Sequence, residues 1–148
     1  MSDNAIDDKQ IQALLKKLDN LNPKNLESAL KVIGNDQLVS VQDTFAAEGR
    51  PEKWKDLAPM TKRMRAKKGK YPGKMLQVTG SYIRSWNYKL IQDGVSIGTA
   101  DSRAKLLNEG GTNDKGFQVP ARKQDVVMPQ DIIRHIDTLN KKIQEVTK

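Results

Sequence analysis

The feature that most constrains how this chain can fold is a stretch without any acidic residue at 57–92. Lysines and arginines recur along the stretch and are densest at 62–74. Because burying unpaired like charges is unfavourable, this dense part cannot form a packed core. Apolar residues and turn formers border it, at 45–57 before it and at 75–81 after it. The pattern therefore predicts two ordered anchors joined by a long, mobile basic loop, which we place at 49–74. Within this loop we expect 62–74 to be poorly ordered in the isolated protein and to become ordered on assembly.

The composition limits the class of protein further. A chain of 148 residues can bury a core as one domain, and we expect that domain to span 1–148. The absence of cysteine excludes disulfides and thiolate metal sites. The apolar runs are far shorter than the ~20 residues that cross a bilayer, and the first residues do not resemble a signal peptide. We therefore expect a soluble protein, made and used in a cytoplasm, with no membrane partner.

The formal net charge of +8 is unevenly distributed along the chain. Acidic residues outnumber basic ones over 1–48, and basic residues predominate in the remainder. Such a surplus either forms a solvated face or contacts phosphates or an acidic protein surface. Few aromatic residues stand among the lysines, which argues against stacking on single-stranded nucleic acid.

The region 1–48 is predicted to be helical. Apolar residues recur at helical spacing over 6–18, and Asn22 before Pro23 is typical of a helix start. We predict a second helix that begins at Pro23 and ends at Gly34, and a third over 37–48. The short loops between these helices favour antiparallel packing.

The region 75–128 is predicted to contain the sheet. The Asp93-Gly94 pair lies between two short runs of β-forming residues, which predicts a β-hairpin. A short helix over 102–109 and an extended strand at 117–120 are expected to follow. The last region, 129–148, has apolar residues at helical spacing and is predicted to be a terminal amphipathic helix. The fold class is therefore α+β: a small antiparallel sheet packed by the N-terminal helices and the C-terminal helix, with a long basic central loop.

The hairpin has two competing faces, because successive side chains of a strand alternate. We choose the face of Leu90 as the buried one over that of Ile91. The predicted core consists of Trp54, Leu76, Ile83, Trp86, Leu90 and Ile97.

The sequence lacks a recognisable set of catalytic residues. His135 is the only histidine, and without cysteine it is a weak candidate for a metal ligand. There is no nucleophile-elbow pattern, and Gly110-Gly111 lacks the lysine and spacing of a phosphate-binding loop. We therefore predict no catalytic, cofactor-binding or metal site, and a protein that is not an enzyme.

The candidate functional residues are instead those of an interface. Trp54 is expected to hold the start of the basic loop against the body of the protein. Arg122 is either a solvated charge or an interface anchor, and in the second case Arg122→Glu would leave the fold intact while blocking assembly. The candidate interface residues are Arg50, Trp54, Lys62, Arg63, Arg65, Lys67, Lys68, Lys70 and Arg122.

Several short motifs recur in a characteristic order along the chain. They are F-x-x-x-G-x-P-x-x-W-x-x-L at 45–57, then Thr61 and the basic stretch, Met75-Leu76, Thr79-Gly80 and Ser85, Gly94-Val95 and Ile97-Gly98-Thr99, Ala104 with Gly110, and finally Val119-Pro120-Ala121-Arg122. This succession resembles the phage virion morphogenesis (tail completion) family of Mu-like and related tailed phages and prophages. The resemblance covers about residues 38–148.

The resemblance implies a structural protein of the virion that is assembled in the cytoplasm of the host bacterium. Such a protein completes or terminates the tail tube and helps to join the tail to the neck beneath the head. It acts as a ring of identical subunits, usually hexameric. Its expected partners are the tail tube protein, a neck or connector protein, and the genomic DNA that passes through the lumen.

A second interpretation comes from the residues alone. The lysine-rich loop would suit a small basic nucleic-acid-binding protein, whose affinity would fall steeply with salt. An enzyme such as a phage nuclease is disfavoured by the missing catalytic set.

Overall fold

The computed structural model describes residues 8–92 and 94–148. Its elements are, in order, α1 (Asp8–Asp19), α2 (Pro23–Ala47), α3 (Pro59–Lys67), α4 (Ser81–Arg84), β1 (Trp86–Ile91), β2 (Gly94–Thr99), α5 (Ala104–Glu109), β3 (Gly111–Thr112), β4 (Gln118–Val119) and α6 (Pro129–Val146). The strands of the described residues form two antiparallel pairs, β1 with β2 and β3 with β4. The predicted α+β class is confirmed.

The two helices predicted over 23–34 and 37–48 form a single helix, α2. It begins as expected, since the Asn22 side chain accepts a hydrogen bond from the Asn25 backbone N–H at 3.0 Å. Gly34 does not end the helix but lies where α2 meets β1. A Cβ atom at this position would come within 2.6 Å of the Tyr88 ring. The local sequence predicts that Gly34 ends the helix. In the structure, the glycine instead allows the hairpin to pack closely against α2.

The chain reverses sharply where α2 ends. Glu48 takes a left-handed conformation with φ 54°, and Gly49 follows with φ 117°, a region that favours glycine. The Trp54 backbone N–H then donates to the Glu48 carbonyl at 2.7 Å, which closes the turn. A side chain at Gly49 would overlap the backbone of Glu52 and Trp54. This turn fixes the direction in which the basic region leaves the body.

The prediction of a continuous loop at 49–74 is wrong, because this region contains α3. Pro59 occupies the first turn, where proline is well tolerated, and no proline or glycine follows before Gly69. The intervening Met, Lys, Arg and Ala residues are good helix formers. None of the described side chains of α3 is buried. Local propensity therefore favours the helix, and no burial of apolar side chains within α3 contributes to it.

The core lies between α2 and the segments that follow it. Phe45 is completely buried and meets Trp54, Tyr82 and Trp86 edge to face, with ring centroids 5.6, 5.8 and 6.5 Å away. Val41 and Met75 complete the buried cluster. The predicted core members Leu76, Ile83, Trp86 and Ile97 pack against it, and Trp54 belongs to it. These predictions are confirmed.

The orientation of the hairpin also matches the prediction. Residues of β1 alternate between half-buried and exposed, with Leu90 on the covered face and Ile91 exposed. Leu90 nevertheless lies outside the aromatic cluster, beside Leu30 of α2. The strands pair from Trp86 opposite Thr99 to Ile91 opposite Gly94. Asp93 of the predicted turn lies outside the described residues.

No helix within the described part of the chain is both long enough and apolar enough to cross a membrane.

Candidate interaction surfaces

The predicted basic residues lie together on α3 and the turn that follows it. Arg63, Lys67, Lys68 and Lys70 are exposed, and they form no ion pair with any described residue. Lys62 differs, since its Nζ atom lies 2.5 Å from the Asp56 carboxylate and 6.0 Å from the centroid of the Tyr71 ring. We call the exposed set Arg63, Lys67, Lys68 and Lys70 the basic patch.

Arg65 belongs to the inner side of α3 rather than to the basic patch. Its side chain is half-buried and donates to the Lys74 carbonyl at 3.4 Å. The Lys74 ammonium in turn donates to the Ala46 carbonyl at the end of α2. These contacts, with the Lys62–Asp56 pair, hold α3 to the body through its polar side chains.

A groove separates α3 from the β3–β4 pair. Its volume is about 590 Å³, and its apolar wall includes Met60, Met64 and Phe117, which are 62, 56 and 59% exposed. Lys55 and Lys115 also line it, and Lys115 is exposed like the basic patch. An apolar groove beside cationic side chains can accept an apolar segment that carries acidic residues.

Trp54 lies inside the protein and not on the basic surface. It is buried against Phe45, and its indole N–H donates to the Lys123 carbonyl at 2.9 Å. This contact joins the segment before α3 to the segment after β4. The expectation that Trp54 holds the start of the basic region against the body is confirmed.

Arg122 also lies inside the protein, with 6% of its surface exposed. Its guanidinium donates to the Lys55 carbonyl at 3.0 Å and to the Asp56 carbonyl at 3.2 Å. Burial, with a smaller contribution from nearby Arg65, lowers the pKa of Arg122 below its usual value. The side chain therefore fastens the segment that leads into α3. An interface role for Arg122 stays a prediction, but its guanidinium is occupied by contacts within the subunit.

Arg50 takes part in a polar network between α2 and α6. It donates to the Thr44 hydroxyl at 3.1 Å and to the Ser40 carbonyl at 2.6 Å. The Ser40 hydroxyl accepts from Arg50 at 2.7 Å and donates to the Asp131 carboxylate at 2.5 Å. The Asp131 carboxylate also accepts from the Arg134 guanidinium.

Asp131 is the most deeply buried charge of this network, with 1% of its surface exposed. Burial by itself would raise its pKa, but hydrogen bonds from Ser40, the Met128 backbone N–H and Arg134 outweigh burial and lower it. Asp131 was not among the residues predicted from the sequence. Its position in the first turn of a helix that begins at Pro129 was the available signal, since a carboxylate is favoured there.

Gln124 was also missed. It is completely buried, and its side-chain oxygen accepts from the Tyr82 hydroxyl at 2.9 Å. Its side-chain amide donates to the Arg122 carbonyl, and its backbone N–H donates to the Asn108 side chain at 2.8 Å. No sequence pattern distinguishes this glutamine from the exposed ones, because its contacts with Tyr82 and Asn108 join residues distant in the chain.

A second exposed surface is apolar. The apolar side chains of α1 are exposed along one stripe, and so are most of those of α6. The α1 stripe consists of Ile11, Leu14, Leu15 and Leu18, and the α6 stripe consists of Ile132, Ile133, Ile136 and Ile143. The covered side of α6 carries the polar residues Asp131 and His135 instead. Only Leu139 and Val146 of the stripe predicted from the sequence are half-buried.

The described residues present several surfaces that suit binding. Within 8–92 and 94–148 no three His, Cys, Asp or Glu side chains are grouped in a way that could hold a metal ion. His135 lies on the covered side of α6, and no described residue forms a hydrogen bond with its Nε2 atom. The surfaces able to bind a macromolecule are the basic patch, the neighbouring groove and the two apolar stripes.

Comparison with known protein families gives a match over residues 6–140, to the phage virion morphogenesis family. The match extends the resemblance found in the sequence to the first helices. A search of curated proteins and a search of solved structures found no protein that matches this chain. Residues 6–140 are most of the 148 residues. The chain therefore belongs to the phage virion morphogenesis family, which gives it a role in the assembly of the phage virion.

Proposed function

We propose that this protein completes the phage tail by terminating its tube, and that it helps to join the tail to the neck as a ring of identical subunits. Family membership supports virion assembly in general. The more specific role rests on the order of motifs along the sequence and on the surfaces described above. In this proposal the protein is structural and not catalytic.

The observation that carries the proposal is the outward direction of the apolar side chains on α6. Ile133 is 67% exposed and Ile136 is 53% exposed, and both belong to the apolar stripe of α6. An isolated soluble protein rarely leaves such a stripe uncovered, whereas a subunit of an assembly covers it with a partner. The subunit is thus suited to form lasting contacts with other protein chains.

A ring is the form of assembly that we propose, with six subunits as the expected number. The tail tube protein would contact one side of the ring and a neck or connector protein the other. The basic patch would face either the acidic surface of such a partner or the DNA in the lumen. Both arrangements use side chains whose charges no described residue neutralises.

The proposal is tested by removing the protein from a phage and restoring it from a plasmid. Without the protein, we expect filled heads and separate tails in electron micrographs, and a loss of infectious particles. The wild-type gene should restore joined virions. Normal yields of joined virions without the protein would overturn the proposed function.

Direct nucleic-acid binding is the second candidate, because the basic patch is exposed and unpaired within the described residues. A protein that neutralises several phosphates loses affinity linearly on a log–log plot against salt, with a slope of about −0.9 for each phosphate on duplex DNA. Anisotropy titrations of duplex DNA should compare the wild type with a variant carrying glutamine at Arg63, Lys67, Lys68 and Lys70. The control carries glutamine at Lys16 and Lys17 of α1.

The two candidates predict different results in that titration. A dedicated DNA-binding protein should bind tightly, with a salt slope that only the α3 variant reduces. A tail-completion protein should bind DNA weakly and without sequence preference. In that case the α3 variant should either still restore infectious particles at low salt or fail only in joining heads to tails. Tight DNA binding by the wild type that the α3 variant loses, combined with normal virion assembly by that variant, would favour the second candidate.

A further inference from the structure

The side of α6 that packs on its own subunit carries the polar residues Asp131 and His135, and of the apolar stripe only Leu139 and Val146 are half-buried there. The Asp131 carboxylate accepts from Ser40 of α2 at 2.5 Å, and His135, one turn further, also lies on the covered side. Ile132, Ile136 and Ile143 face away from the subunit at helical spacing. An amphipathic helix normally does the reverse and buries its apolar side. The outer side of α6 is therefore suited to contact another chain.

Helix α1 carries a second uncovered stripe. Leu14 is 57% exposed, and Ile11, Leu15 and Leu18 on the same side are also exposed. At its end, Asn20 donates to the Val146 carbonyl at the end of α6, with a distance of 3.2 Å. This contact places the end of α1 beside the end of α6 without covering either stripe. One subunit therefore presents two different apolar helical surfaces.

We propose that the α1 stripe of one subunit packs against the α6 stripe of the next. This inference rests on the ring in the proposed function. A ring requires a heterologous contact, in which each subunit offers two distinct and complementary surfaces. Two unlike apolar stripes on one chain meet this requirement, whereas a symmetric dimer would need only one self-complementary stripe.

The dimensions and the charges of the two stripes agree with this pairing. With a rise of about 1.5 Å per residue, the α1 stripe is about 11 Å long and the α6 stripe about 17 Å, so the first fits within the second. Lys17 lies beside the α1 stripe, and the exposed Asp137, which pairs with Lys141 of its own chain at 3.5 Å, lies beside the α6 stripe. Opposite charges at the border of an apolar contact favour one orientation of the helices.

The chain has no cysteine, so introduced cysteines report this contact specifically. The test uses Leu15→Cys in α1 and Ile136→Cys in α6, each purified alone and carrying tags of different size. After mixing and mild oxidation, we expect disulfide-linked heterodimers. The double variant should form a ladder of linked subunits that ends at the closed ring. The control replaces Ile136→Cys with Ile91→Cys, an equally exposed isoleucine on the hairpin, and should give no link.

Three outcomes would overturn the inference. Dimers formed by Ile136→Cys alone would indicate a symmetric contact between α6 helices. A double variant linked only within single chains would indicate that α1 folds back on its own α6. Absence of any link, both in the free protein and in tails assembled with the double variant, would show that the two stripes do not contact each other and bind other partners. Circular dichroism of each variant establishes that the fold is retained.

The same variants distinguish failure of this contact from failure of the proposed function. If tails are completed normally and carry no α1–α6 link, the contact is wrong and the function stands. If rings link as expected but heads and tails join without the protein, the contact stands and the function is wrong. Leu15→Glu and Ile136→Glu should each abolish ring formation, whereas Ile91→Glu should not.

Discussion

At the residue scale, the stability of the subunit depends on a few buried polar side chains that join distant segments. Asp131 links α6 to Ser40 of α2, and Arg122 links β4 to the segment before α3. Such side chains stabilise the fold only while every partner is present, because an unpaired polar group in the interior is costly. They are therefore the positions where conservative substitutions should have measurable effects.

Asp131→Asn should lower the free energy of unfolding at pH 7 by about 1–3 kcal/mol, since it removes a buried, hydrogen-bonded charge. The pKa of Asp131 is lowered in the folded state, so its contribution is present above the unfolded pKa of about 3.9. That contribution is lost as the pH falls through the folded pKa. Urea denaturation between pH 3 and pH 7 should show a smaller difference between the two proteins at the acidic end.

The control for this substitution is Asp43→Asn, which changes an exposed aspartate on the same α2 helix that Asp131 contacts. It should change the free energy of unfolding by less than about 0.5 kcal/mol. A difference between wild type and Asp131→Asn that stays constant from pH 7 to pH 3 would contradict the assigned pKa direction.

Arg122 gives a second prediction, which replaces the expectation from the sequence that Arg122→Glu leaves the fold intact. Arg122→Met keeps the length of the side chain but removes its two hydrogen bonds to backbone carbonyls. We expect a loss of about 1–3 kcal/mol, and a larger loss for Arg122→Glu, which directs a carboxylate at those carbonyls. Arg63→Met, at an exposed position on α3, is the matched control. Equal midpoints of urea unfolding for the two methionine variants would show that Arg122 does not stabilise the subunit.

At the element scale, the central contact is that between α2 and the β1–β2 hairpin. The hairpin approaches α2 so closely at Gly34 that the Tyr88 ring occupies the space of a side chain. α2 can therefore run through Gly34 without a break, although glycine lowers helix stability by about 1 kcal/mol relative to alanine. The close approach of the strand leaves room only for glycine at this position.

Gly34→Ala should destabilise the protein by about 1–3 kcal/mol, because the added methyl group forces the Tyr88 ring to move. The increase in helix propensity offsets only part of this effect. Gly98→Ala in β2 is the control, since nothing lies within 4 Å of an added Cβ atom there. Thermal unfolding of both variants measures the difference. A melting temperature for Gly34→Ala at or above that of the wild type would contradict the close approach.

At the scale of the whole molecule, the subunit combines a well-packed centre with lightly attached outer parts. The aromatic cluster around Phe45 holds α2, the turn at 49–54 and the hairpin together. Helix α3 has no buried side chain among its described residues, and its attachments are polar. The sequence interpretation of 62–74 as a poorly ordered segment is wrong in its local detail, since 62–67 are helical. The expectation that this region gains protection on assembly stays a prediction.

Hydrogen exchange measures the protection of the α3 amides before and after assembly. In the isolated subunit, amides of α3 should exchange at least about tenfold faster than those in the centre of α2, because opening α3 exposes little apolar surface. In assembled tails, protection of α3 should increase as the groove beside it is occupied. The amides near Phe45 serve as the internal reference, since they should be protected in both states. Strong protection of α3 in the free subunit would contradict this prediction.

Much of the local structure was determined by the sequence alone. The start of α2 at Asn22-Pro23, the hairpin around Gly94 and the extent of α6 follow from capping, turn chemistry and periodicity, which act between neighbours in the chain. The aromatic core was also predictable, because a large apolar side chain such as Trp54 gains most from burial. The order of motifs was sufficient to indicate the family.

Tertiary structure decided the features that depend on residues distant in the chain. Gly34 ends a helix by local rules, but α2 continues through it, and the Tyr88 ring fills the space that a side chain there would need. Arginine is usually a surface residue, yet the Arg122 side chain is held inside by hydrogen bonds to two backbone carbonyls. The periodicity of α6 predicts an apolar side but does not say whether that side faces its own subunit or a neighbour. Only the packing of α2 against Asp131 settles this direction, because burial is determined by the whole assembly of elements and not by the order of residues within one helix.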